Sequence, residues 1–396
     1  MMNDKSVSGI ICEFNPFHNG HKYLIEKVKE ETDGFVVCVM SGNYVQRGEA
    51  AIIDKYTRTE TALVCGADLV IEMPVQYTAS TAEKFAECGV YLLDKLGCVD
   101  NIYFGSECGD VRKLRELSSY LLSEKFSETL TETKSVNESF ASSREKAVLK
   151  DFGKEYADII GCPNNILGIE YIKAVLNLKS DIEPKTIQRT GAEHDAEGDG
   201  EISSASHIRK LIRSGDNFRE LMPEHSYELV KSRIAENKAP ADMNYIERTA
   251  LYRLRTMSAD ELKEYPDVSE GLENKIKEAA CKAKNLDELY SLIKTKRYSH
   301  ARIRRIVLSV LLDIKKTDMI LPPYIRVLGM NSNGLEMLRL KQNKIPFVTA
   351  YKDAAKLGDN AIAQFELEAR VDDIYSLCLP EISAGKAYYT TSIIKV

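Results

Sequence analysis

The sequence predicts an α/β fold, with a Rossmann-like parallel-sheet domain followed by a mostly helical C-terminal domain. Two observations carry this. Short apolar runs recur at residues 8–12, 35–40 and 68–73, with a fourth at 101–105, and a helix-length stretch separates each from the next. Such runs bounded by helices are buried strands of a parallel sheet joined by right-handed crossovers. From about residue 216 to about 320 the periodicity is then almost wholly helical.

Taken in order, the first strand ends at Cys12, Asn15-Pro16 forces a turn, and a helix begins at Asn19 or Gly20. Helical periodicity returns over 82–96, 111–150 and 165–175, and a strand is expected near 184–189. Residues 190–201 are polar and glycine-rich, which predicts an exposed, mobile loop. A helix over 203–212 stops at Ser214-Gly215-Asp216, which places a domain boundary near 216. Residues 1–216 then form the first domain and 217–396 the second, whose tail from 324 onward mixes helices with strand-like runs such as 345–349.

A chain of 396 residues is long enough for two or three cores, and 44% apolar with 29% charged residues is an ordinary globular balance. Met1-Met-Asn-Asp-Lys leads into a strand without a basic, then apolar, leader, and no run approaches the ~18 apolar residues of a membrane span, so a cytoplasmic protein is expected. The nine cysteines are scattered without a Cys-x-x-Cys pair, and they read as small core residues rather than zinc ligands or disulfides. A net charge of −6 excludes nucleic-acid binding by overall charge and leaves only local basic clusters for such a role.

The chemistry concentrates where the first strand meets its helix. His18 and His21 lie three residues apart on the first helical turn, at the carboxyl edge of a parallel sheet, where such folds bind ligands. Backbone N–H groups and the helix dipole there favour an anion, and Gly20 lets a nucleotide approach the backbone. Two imidazole N–H groups in that position steady the charge that grows on a phosphate under attack. A second element follows at Ile202-Ser203-Ser204-Ala205-Ser206-His207-Ile208-Arg209, where serines cap a helix and Arg209 offers a planar fork for phosphate. The loop 41–48 leaves the second strand on the same sheet edge, where it either borders the ligand pocket or is purely structural. Lys55 and Arg58 open the next helix, within reach of phosphate or on a solvated face.

The His-x-x-His and Ser-Ser-x-x-x-x-Arg elements together resemble the nucleotidylyltransferase superfamily. Closer still, Glu13-Phe-Asn-Pro-Phe-His-Asn-Gly-His21, Met40-Ser-Gly-Asn-Tyr-Val-Gln-Arg-Gly48, Phe104-Gly-Ser-Glu107, Pro163-Asn-Asn-Ile-Leu-Gly168 and Lys296-Arg-Tyr-Ser-His-Ala-Arg302 resemble the bacterial tRNA(Met) cytidine acetate ligases. The resemblance implies a nucleotidyltransferase-like, ATP-binding first domain and a tRNA-binding second one. It implies that ATP, with Mg²⁺ and without acetyl-CoA, activates acetate to acetyl-adenylate. The acetyl group then passes to N4 of the wobble cytidine of elongator tRNA(Met). By motif, His18 and His21 are catalytic. ATP is held by Ile11-Cys12-Glu13-Phe14-Asn15-Pro16-Phe17-His18-Asn19-Gly20-His21-Lys22-Tyr23-Leu24, by Gly105, Asn164 or Asn165, and Arg189, and by Ser204 and Arg209 of the second element. No metal ligands are expected from the protein itself. Lys296, Arg297, Arg302 and Arg305, with Tyr298 for stacking on a base, are the expected RNA contacts. A small-molecule adenylyltransferase and a non-catalytic RNA-binding protein are the competing readings. The long helical half argues against the first, and the intact His18, His21 and Arg209 against the second.

Overall fold

A computed structural model describes residues 5–135, 138–189, 203–269, 271–339 and 342–396; the polar loop expected at 190–201 lies outside them. Strands β1 (Val7–Cys12), β2 (Phe35–Ser41), β3 (Leu69–Met73), β4 (Asn101–Ser106), β5 (Glu183–Gln188), β6 (Ile325–Met330), β7 (Phe347–Val348) and β8 (Ile394–Lys395) form one eight-stranded sheet. Its order is β8-β6-β3-β2-β1-β4-β5, with β7 paired to β6 off that path. β1 runs parallel to both β2 and β4, so the chain winds outward from β1 in both directions and reverses between β1 and β4. That reversal leaves a crevice at the carboxyl ends of the two strands.

Strand side chains alternate between two apolar layers, as a sheet covered on both faces requires. Ile10, Cys38 and Val70 pack with Ile25 and Val28 of α1 (Asn19–Thr32) and Ala62 and Leu63 of α2 (Lys55–Val64). Ile11, Val37 and Ile71 pack on the opposite face with α3 (Ala82–Leu96) and α4 (Pro163–Leu178). Beyond α5 (Ala205–Ser214), a helical layer containing α6 (Glu247–Thr256), α7 (His300–Leu312) and α8 (Asp359–Tyr375) builds its own core. Tyr44, Ala50, Val75 and Ala79 from the N-terminal part are members of that core.

The sheet is mostly parallel, as expected, and is corrected at one pairing. β6 pairs antiparallel with β3, Leu69 opposite Met330, and the tail supplies β7 and β8 as well. Without β6, the edge of β3 would present a row of unpaired backbone groups. The boundary expected near 216 therefore divides the chain in sequence but not in the sheet.

A second correction concerns Lys55 and Arg58, which meet neither phosphate nor solvent. Lys55 is wholly buried, and its ammonium donates to Glu72 of β3 at 2.6 Å and to Asp372 of α8 at 2.8 Å. Burial alone pushes the Lys55 pKa down, but Asp372 and Glu72 outweigh it and hold the ammonium above its ordinary range. Tyr388 donates its hydroxyl to Glu72 at 3.0 Å and lays its ring under the same ammonium. Arg58, equally buried, donates to the carbonyls of Ile53 at 3.1 Å, Glu13 at 2.6 Å and Ser41 at 3.1 Å, and also to Gly42. Removing one partner of a buried ion cluster strands the others, at a cost of about 3–5 kcal/mol. Lys55→Met is expected to destabilise by that amount, read as a lowered urea midpoint. A change under about 1 kcal/mol would mean that the cluster is not held together by this ammonium.

Candidate active site

β1 ends at Cys12, and the chain must then turn through residues 13–18 to enter α1. Each backbone group on that turn needs a partner if buried. Arg58 supplies one to the Glu13 carbonyl, and Arg209 donates to the Asn15 carbonyl at 2.8 Å. The Asn15 side chain in turn accepts the Ile52 N–H at 2.7 Å, tying the turn to the following loop.

His18 is the N-cap of α1, a place usually taken by a short oxygen-bearing side chain. Its Nδ1 accepts the Gly20 N–H at 3.0 Å, and Nδ1 of His21 accepts the His18 N–H at 3.2 Å. A nitrogen that accepts carries no proton, so each neutral ring holds its hydrogen on Nε2. The rings lie 3.8 Å apart, centroid to centroid. Burial, reinforced by Arg189 and Arg209, lowers the His18 pKa from 6.5 to about 3. Burial, His18 and Arg189 lower that of His21 as well. Two neutral N–H donors result, suited to a polyanion and reluctant to take up a second proton.

Both rings line a cavity of about 580 Å³ set in the β1–β4 crevice. The size and position are those of a nucleotide-sized site. Ile11, Cys12, Glu13, Phe14, Asn15 and Leu24 form one wall; Gly105, Asn164 and Arg189 stand across from them on the β4 side. Gly105 has a steric reason to lack a side chain, because a Cβ there would come within 3.1 Å of the Arg189 side chain. Ser204 and Arg209 of the second element also line it, and Val45, Gln46 and Arg47 bring the loop after β2 to the cavity edge. Gln46 is placed there by its N–H, which donates to Glu13 at 2.7 Å.

Three helix N-termini meet at this cavity, and they are not equivalent. The first turn of α4 is filled by the Glu107 carboxylate, which accepts the N–H of Asn164 at 3.1 Å and of Asn165 at 2.8 Å. α1 is capped only by a neutral imidazole, and α5 by the Ser204 hydroxyl, which accepts the His207 N–H at 3.2 Å. Among the described residues no carboxylate fills the start of α1 or α5, and Arg189 and Arg209 line the same cavity.

The comparisons with known proteins agree with this geometry. The family model described as HIGH Nucleotidyl Transferase matches residues 5–388. A tRNA(Met) cytidine acetate ligase of Thermoanaerobacter sp. (strain X514) is 41% identical over 405 residues, covering 98% of this chain and 100% of that one. The chain belongs to the tRNA(Met) cytidine acetate ligase family. Another relative of that name, from Clostridium perfringens (strain ATCC 13124), is 39% identical over 98% of this chain and 99% of its own. The crystal structure of Thermotoga maritima TmcAL bound with alpha-thio ATP superposes with a TM-score of 0.92 at 31% identity, covering 98% and 99% of the two chains.

Not every residue expected from the ligase-family motifs reaches the cavity. Phe17 is buried in the core with Ile25, Pro16 is buried without lining the cavity, and Gly20 gives its N–H to His18. Asn19 donates to the Glu220 carbonyl at 2.8 Å, Lys22 pairs with Glu26 outside, and Tyr23 stacks under Lys27. The Asn pair separates cleanly. Asn164 lines the cavity, while Asn165 is buried and spends its amide on Glu107 N–H, Cys108 N–H and the Ile159 carbonyl.

The basic segment is also redistributed. Arg305 is buried and pairs with Asp267 at 2.9 Å, and Arg302 donates to the Asp267 carbonyl at 2.8 Å. Arg302 lies over the ring of Tyr298, which is itself buried. Lys296 and Arg297 are exposed. The walls contributed by Phe104, Glu107 and Tyr171 were not read from the sequence as site residues. Phe104 and Glu107 left a signal, as the two ends of the motif Phe104-Gly-Ser-Glu107.

His18 gives the site a pH signature. Between pH 6.5 and 3 the unfolded chain binds a proton at position 18 that the native chain refuses, so stability declines as pH falls through that window. His18→Gln removes this contribution. From pH ~7 to ~5 the wild type is expected to lose about 2 kcal/mol more than the variant in chemical denaturation. Equal losses would mean that the native ring titrates normally.

Proposed function

We propose that this chain activates acetate with ATP and transfers the acetyl group to N4 of the wobble cytidine of elongator tRNA(Met), giving N4-acetylcytidine. The observation that carries the first step is the pair of neutral imidazoles with Nδ1 closed by backbone N–H groups and Nε2 left to donate. An acetate oxygen attacks the α-phosphorus, the bond to the bridging oxygen breaks, and pyrophosphate leaves. His18 and His21 steady the charge on the phosphate oxygens during that displacement. Arg209 and Arg189, with the open N-termini of α1 and α5, hold the triphosphate. Gly105 and Asn164 face the nucleoside.

Mg²⁺ enters on the triphosphate, whose oxygens suit it. Among the described residues no three His, Cys, Asp or Glu side chains stand together to hold a dedicated ion. Acetate is the acetyl source, without acetyl-CoA. The second step draws on the relatives named as ligases over their whole length, and on a helical half that a small-molecule transferase does not need. Residues 1–216 carry catalysis, and the helical layer after them holds the tRNA, with the exposed Lys296 and Arg297 as its contacts. The reaction belongs to the cytoplasm, where tRNA is modified, and among the described residues no helix is long and apolar enough to cross a membrane.

Incubation with ATP, labelled acetate and total tRNA, followed by nucleoside analysis, is expected to place label on cytidine N4 with one pyrophosphate released per acetyl group. His18→Ala is expected to slow acetate-dependent pyrophosphate release about 10²–10³-fold. A wild-type enzyme that labels no tRNA, or a variant with undiminished release, would overturn the reading. Asn164→Ala is expected to weaken ATP binding without loss of thermal stability, and Asn165→Ala to lower the melting temperature. Calorimetric titration and melting curves that show the reverse pattern would reassign the pair.

A further inference from the structure

The second half-reaction leaves a proton to be placed. The lone pair of an exocyclic cytidine amine is delocalised into its ring, so attack on a carbonyl is slow unless a base takes the N–H proton as the C–N bond forms. The histidines are poorly placed for that task. Their acceptor nitrogens are filled by backbone N–H groups, and the pKa of His18, about 3, makes it a weak base.

Three carboxylates line the cavity among the described residues: Glu13, Glu49 and Glu107. Glu107 is spent on the start of α4, where it also accepts the Asn164 side-chain amide at 2.7 Å. Glu49 is paired with Arg304 of α7. Glu13 differs from both. Its Oε1 accepts the Gln46 N–H at 2.7 Å, which holds the carboxylate in place, and among the described residues Oε2 meets no donor.

We propose that Glu13 is the catalytic base of acetyl transfer, its Oε2 taking the proton from N4 of cytidine. The proposal rests on the ligase reading above. In the step, the bond from N4 to the acetyl carbon forms and the bond from that carbon to the phosphate oxygen breaks. AMP departs with the electron pair, the N4 proton passes to Glu13, and Glu13 returns it to solvent as the products leave. The charged and titratable groups around the carboxylate are Arg47, Arg58 and Arg209, with Cys12 and Tyr171 beside them. Burial raises the Glu13 pKa, opposed by the Gln46 N–H and then by the three arginines. A carboxylate so placed is a better proton acceptor than a solvated one.

Glu13→Gln keeps an oxygen for the Gln46 N–H and removes the base. Transfer to tRNA(Met) from added acetyl-adenylate is expected to fall about 10²–10⁴-fold, a loss about tenfold or more beyond whatever acetate-dependent ATP–pyrophosphate exchange loses. The wild-type transfer rate is expected to rise with pH along a limb that the variant lacks and that Glu13→Asp retains in part. Melting curves with and without ATP show whether each variant is folded and loaded. Equal losses in transfer and exchange would make Glu13 a positioning residue, and transfer within about threefold of wild type would remove it from the chemistry; either overturns the proposal. If the wild type itself acetylates no tRNA, the ligase reading fails and takes this one with it.

Discussion

Two backbone N–H groups at the start of α1 set the chemistry of the cavity. Gly20 gives its hydrogen to His18 and His18 gives its own to His21, so both rings are locked in one tautomer with the free hydrogen on Nε2. An ordinary N-cap oxygen would satisfy the same helix terminus and offer nothing further. The imidazole does both. Because the rings lie close together beside two arginines, His18 buried and His21 half-buried, protonating either would place like charges together where water is scarce. The pair is therefore neutral when empty and donates to whatever anion enters. Its field is pre-oriented and costs little reorganisation when phosphate charge develops.

Much of the surrounding structure exists to hold that turn. A loop leaving a parallel strand carries carbonyls that face inward, and each must be met. Arg58 gathers four of them from the ends of β1 and β2 and from the loop that precedes α2. Arg209 meets the Asn15 carbonyl, and Ser226 donates to the Phe17 carbonyl at 3.0 Å. The turn is thus gripped by residues from α2, α5 and the helix Glu224–Ala235 that follows. Arg209 joins two tasks, since one guanidinium nitrogen holds the turn while the side chain lines the cavity. Shortening it would loosen the histidines as well as remove a cation from the cavity.

The parts of the site that are local in sequence were legible, because local physics sets them. The strand ending at Cys12, the Asn-Pro turn and the helix from Asn19 follow from hydrophobic run, turn residue and periodicity, and they fix the sheet edge on which His18 sits. The Ser204 cap was readable for the same reason. What escaped depends on partners far along the chain. β6 is a strand because β3 needs an edge covered, and its short apolar run with an internal Arg326 is ambiguous alone. Lys55 looks like a surface charge until Asp372, more than three hundred positions later, is folded against it. Asn164 and Asn165 are indistinguishable as letters. Only the angle at which α4 meets Glu107 turns one to the cavity and buries the other. Arg302 and Arg305 have the spacing of an RNA-binding face, yet Asp267 claims both.

The helical half is not an appendage to the nucleotide site, because the loop between β2 and α2 belongs to both. Its Gln46 and Arg47 line the cavity, while its Tyr44 and Ala50 sit in the core of the helical layer. Gly48 has φ +78°, and a Cβ there would stand 2.6 Å from the backbone of Arg304 and Arg305. Two backbones thus touch where no side chain fits, and the neighbouring Glu49 pairs with Arg304. Tyr375 of α8 closes the same loop by donating its hydroxyl to the Ala51 carbonyl at 2.9 Å. A macromolecule seated on α7 and its neighbours would press on a segment one peptide removed from the cavity wall. The Gln46 N–H that orients Glu13 lies on that segment, so the core of the helical layer and the Glu13 carboxylate are joined by one short stretch of chain.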